Sequence, residues 1–156
     1  MSKGDMSEGQ ELLSLGMEEL VELWGRKFNE RGEDGIPENL RRAMGSYSFL
    51  INFKQKLEDC FKECRNEDGI KRERTTWMAY CTHKKAYAEH FNGLLANLGL
   101  EYALIPGVAD EDEFPGSGIA YADIRRSYRI LLEEIPKAEI DGKPLKHHFV
   151  EYILEP

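Results

Sequence analysis

The chain has no apolar run of more than a few residues, so nothing in it reads as a membrane-spanning helix. Its opening, "MSKGDMSEGQ", has no basic stretch followed by an apolar one, which argues against a secretory leader and for a cytoplasmic protein. Cysteine is scarce: three in 156 residues, an odd number that reads as reduced thiols rather than a disulfide framework. There is no G-x-x-x-x-G-K-[ST] and no G-x-S-x-G, so P-loop and nucleophile-elbow chemistry lose their usual signatures. "GSGIAY" (116–121) lacks the third glycine of a dinucleotide loop and follows four carboxylates that would repel a phosphate. The sequence leans away from an enzyme and implies no obligatory cofactor.

What is present is enough apolar material for a core, 41% of residues, with an above-average charged fraction of 32%. The net charge of −8 is unevenly spread: residues 1–38 sum to −6, residues 39–90 to +4, and residues 91–156 to −6. An acidic–basic–acidic order suggests a basic block that meets an acidic partner, or acidic flanks that meet a basic one.

Apolar spacing predicts the elements. Residues 1–10 read as a flexible terminus, followed by one globular domain over 11–156, helical over 11–98 and α/β over 99–156. Met17, Leu20, Val21, Trp24 and Phe28 form one helical stripe. Pro37 suits the start of a second helix reaching Cys64, with a bend possible at Gly45. Thr75 or Thr76 opens a third, which ends at Gly99 in a left-handed C-terminal cap. "EYALIPG" reads as a buried strand and "VADEDEFPGSG" as a long loop. A fourth helix runs from Tyr121 to Ile135, "KAEIDGKPL" is an Asp-Gly hairpin, and "HHFVEYIL" is a last strand. The expected fold class is α+β: about three N-terminal helices packed on a small C-terminal strand–helix–hairpin sheet.

Three candidate sites follow. Cys60, Cys64 and Cys81, with His83 or His90, are the residue types of a zinc site, and Cys60 and Cys64 are helix neighbours. Geometry opposes a site on one helix, because Cys81 and His83 point about 200° apart and His83 and His90 are separated by about 10.5 Å of rise. Trp77, Cys81, Ala88 and Phe91 are expected to face inward, with His83, Tyr87 and His90 on a flank beside Lys84. The acidic loop Asp110, Glu111, Asp112 and Glu113 departs from the calcium-loop pattern at Phe114 and Pro115 and reads as a partner-binding loop. Lys71, Arg72, Arg74, Lys84 and Lys85 lie near Trp77 and Tyr80, a basic and aromatic mixture that suits a protein partner or single-stranded nucleic acid, the latter opposed by the overall negative charge. The leading expectation is a non-enzymatic regulator or interaction protein that binds a protein partner or forms a homo-oligomer. A small metal-dependent enzyme or zinc-stabilised regulator, and a nucleic-acid binder, are the alternatives.

Overall fold

In the computed structural model the described residues are 3–32, 35–63, 74–106 and 119–155, and the side chains of residues 3–7 and 74–77 are not among them. Six α-helices occur there: α1 (Lys3–Ser14), α2 (Met17–Arg31), α3 (Glu38–Glu63), α4 (Arg74–Leu98), α5 (Tyr121–Arg129) and α6 (Leu145–Leu154). A two-stranded antiparallel sheet, β1 (Glu139–Ile140) with β2 (Lys143–Pro144), is the β structure of the described residues. The molecule is helix-rich with a small β element, and no described helix is long and apolar enough to cross a membrane.

Local chemistry explains most boundaries. The stripe of α2 is buried at Met17, Leu20, Val21 and Trp24. Helix α3 starts directly after Pro37 and continues through Gly45, because buried Met44, Tyr47 and Leu50 hold both sides of the glycine. At the end of α4, Gly99 has φ +74°, its N–H donates to Ala96 O (3.3 Å) and the Leu100 N–H donates to Leu95 O (2.8 Å). Those two bonds are the 5→2 and 6→1 pair of a Schellman cap. Asp141 (φ 54°) and Gly142 (φ 84°) form the two-residue turn of the β1–β2 hairpin, both left-handed as a type I′ turn requires.

Helix α1 starts at Lys3; its partner is α6, and Leu12 packs against the core. Three expectations are corrected. "EYALIPG" is not a strand: Glu101–Ala103 is a 3-10 turn. Among the described residues no second strand lies beside it; instead the Asn92 side chain acts as a one-residue partner, donating to Ile105 O (2.9 Å) and accepting from Ile105 N–H (2.7 Å). "HHFVEYIL" is helical rather than extended, because Leu145, Phe149 and Tyr152 recur at helical spacing and are all buried. The three-stranded sheet is therefore reduced to the hairpin, and the C-terminal segment packs as a helix on α1 and α2. Finally, the fourth helix ends irregularly, with a π turn over Ile130–Glu134 and a 3-10 turn over Ile135–Lys137.

That irregularity has a cause and a consequence. In the π turn the Ile135 N–H bonds to Ile130 O, five residues back. The same register would pair Leu131 O with the nitrogen of residue 136, but Pro136 has no N–H. The buried Tyr47 hydroxyl of α3 takes that place, donating to Leu131 O at 2.6 Å. Its ring also meets Phe149 of α6 (centroids 5.8 Å apart), so one side chain joins α3 to both C-terminal elements. Around α6, Trp24 sits edge-on to Phe149 at 5.5 Å, Tyr152 donates to Gly32 O at 2.6 Å, and Lys27 caps the helix C-terminus by donating to Ile153 O at 3.0 Å.

Tyr47→Phe leaves the Leu131 carbonyl buried without a donor and is expected to cost about 1–3 kcal/mol in urea unfolding. In a Pro136→Ala background, where residue 136 regains an N–H, the same change is expected to cost measurably less. Equal costs in both backgrounds would show that the hydroxyl does not replace the missing donor.

Candidate partner-binding face

Helices α3 and α4 are the longest in the chain and pack against each other antiparallel: Phe53 meets His83 (ring centroids 5.4 Å) and Phe49 meets His90 (4.4 Å). Phe49 and Phe53 themselves stack at 5.1 Å. The four rings make one continuous row along the outer seam of the hairpin. It arises because Leu50 and Leu57 take the core side of α3, which turns Phe49 roughly 100° and Phe53 roughly 50° away, toward the edge of α4. Phe49 is 38% exposed, His90 is exposed, and Phe53 and His83 are half-buried.

Flanking the row on α3 are Gly45, Ser46, Asn52 and Lys56, and on α4 Ala79, Ala86, Glu89 and Gly93, none of them buried. Lys56 Nζ lies 5.8 Å from the Phe53 ring centroid. Partial burial pushes the His83 pKa below its ordinary value, and the Lys56 ammonium pushes it the same way. The two histidines, seven residues apart, are thus each seated on a phenylalanine rather than joined at one ion.

The opposite side of α3 carries a different set of groups. Tyr121 of α5 donates to Glu58 (2.8 Å) while its ring stacks on Phe61 at 3.7 Å, nearly parallel. Ser127 Oγ donates to Ile124 O, which leaves the Tyr87 hydroxyl to donate to Ser127 Oγ at 3.0 Å. Burial raises the pKa of Tyr87 and Tyr128 well above the ordinary phenol value, with the nearby Glu58 charge adding to it, so both stay neutral at physiological pH. The Tyr121, Tyr87 and Ser127 hydroxyls make hydrogen bonds that pin α5 to the hairpin.

The sequence candidates divide accordingly. Lys84 is 3% exposed, with its ammonium 5.0 Å from the Tyr80 ring centroid, and Tyr80 and Tyr87 are buried too. The expected flank beside Lys84 is therefore interior: α4 is covered by α3 on one side and α5 on another, so its buried arc is wider than one stripe. Lys84 and Tyr80 do not form a displayed basic and aromatic patch. Lys85 is half-buried. Cys81 is fully buried, as expected, and Cys60 is half-buried, its thiol pushed up in pKa by burial and then by Glu63, which keeps it protonated. Among the described residues no three His, Cys, Asp or Glu side chains gather where one ion could reach them. Cys64, Lys71, Arg72 and Asp110, Glu111, Asp112 and Glu113 lie outside the described residues, as does the side chain of Arg74.

No family model matches the chain, and no curated protein or solved structure is similar enough to identify a relative. The site has to be argued from its own chemistry. The sequence holds one signal for the ring row: Phe49 and Leu50 are consecutive, so a helix cannot bury both on one side.

In a pH titration followed by NMR, the His83 ring is expected to titrate below about 6.5. Lys56→Gln should move its midpoint upward without restoring it fully, since burial is the larger cause. Because the folded pKa is depressed, the contribution of His83 to stability is complete above the unfolded value and falls as pH drops toward the folded one. An unshifted midpoint, or no response to Lys56→Gln, would contradict the ring-row environment.

Proposed function

We propose that this chain is a non-enzymatic interaction protein that docks an acidic protein partner on the α3–α4 face. One observation carries the reading: a row of rings, Phe49, Phe53, His83 and His90, lies open along a seam with Lys56 beside it, in a chain of net charge −8. Aromatic side chains supply large contact area at little entropic cost, and the Lys56 ammonium beside the Phe53 ring favours an acidic partner. Lys71 and Arg72, in the connection between α3 and α4, and the acidic segment Asp110–Glu113 remain part of the proposal as additional contacts.

The test compares the wild-type chain and a Phe49→Ala, Phe53→Ala variant as baits in host lysate, at matched folding by thermal melt. Proteins held by the wild type are expected to fall about tenfold on the variant, since removing central aromatic anchors costs on the order of 1–2 kcal/mol or more. Their retention should also weaken as salt rises from roughly 0.1 to 0.5 M. An unchanged protein set on the variant would reject this face as the interface.

A further inference from the structure

We draw no further inference here: the strongest candidate, the cleft where the N-termini of α2 and α6 meet beside Lys137, Lys146 and His147, rests on helix N-termini and surface cations alone, and nothing else among the described residues points to a ligand there.

Discussion

The hydrogen bond from Tyr47 to Leu131 is the contact on which the arrangement of the molecule depends. A proline placed five residues after a buried carbonyl creates an acceptor that its own helix cannot satisfy. The donor comes from the middle of the longest helix, so α3 can rotate or slide little without stranding a carbonyl in the core. A buried, unpaired carbonyl costs more than a formed bond returns, which makes the interaction a stronger constraint on register than a stabiliser in its own right. With Tyr47 turned inward, Phe49 and Phe53 are turned outward by helical geometry alone. The surface row is thus set by the core on the opposite side of the same helix.

The two sides of the α3–α4 hairpin then do different physical jobs. Inside, Glu58, Tyr121, Tyr87 and Ser127 form bonds that hold α5 in place, and burial keeps the tyrosines protonated and their roles as donors constant with pH. Outside, phenylalanines cover imidazoles, and partial burial lowers the His83 pKa and keeps that ring neutral over more of the pH range. A neutral imidazole on a phenyl ring is a better apolar surface than a charged one, which suits a docking seam. Charge in this region is then left mainly to Lys56 and Glu89 beside the rings.

Much of the fold was legible because it was written locally. The stripe from Met17 to Phe28, the glycine at the end of α4 and the Asp141–Gly142 turn each depend on a few neighbouring residues, and each forms as expected. What was illegible depended on partners distant in sequence. Tyr102–Ile105 has strand-like residues, but an Asn92 amide, not a strand, waits beside it. His147–Leu154 is apolar enough for either structure, and the Trp24 and Phe28 surface that receives Tyr152 decides for a helix. Lys84 reads as a surface charge by residue type, yet Tyr80 and the covering α3 and α5 make it interior. The ring row was hidden for the same reason: only the pairing of α3 with α4 brings Phe49 to His90 and Phe53 to His83.

Site-specific photo-crosslinking measures the occupancy of that face most directly. A benzophenone side chain at Asn52, exposed beside the ring row, is compared with one at Asn29, exposed on α2, each irradiated in the native host. The expected result is a discrete covalent adduct at position 52, absent at position 29, whose attached peptide is acidic. Adducts equal at both positions, or none at position 52 with the folded chain present, would contradict a docking role for the α3–α4 face.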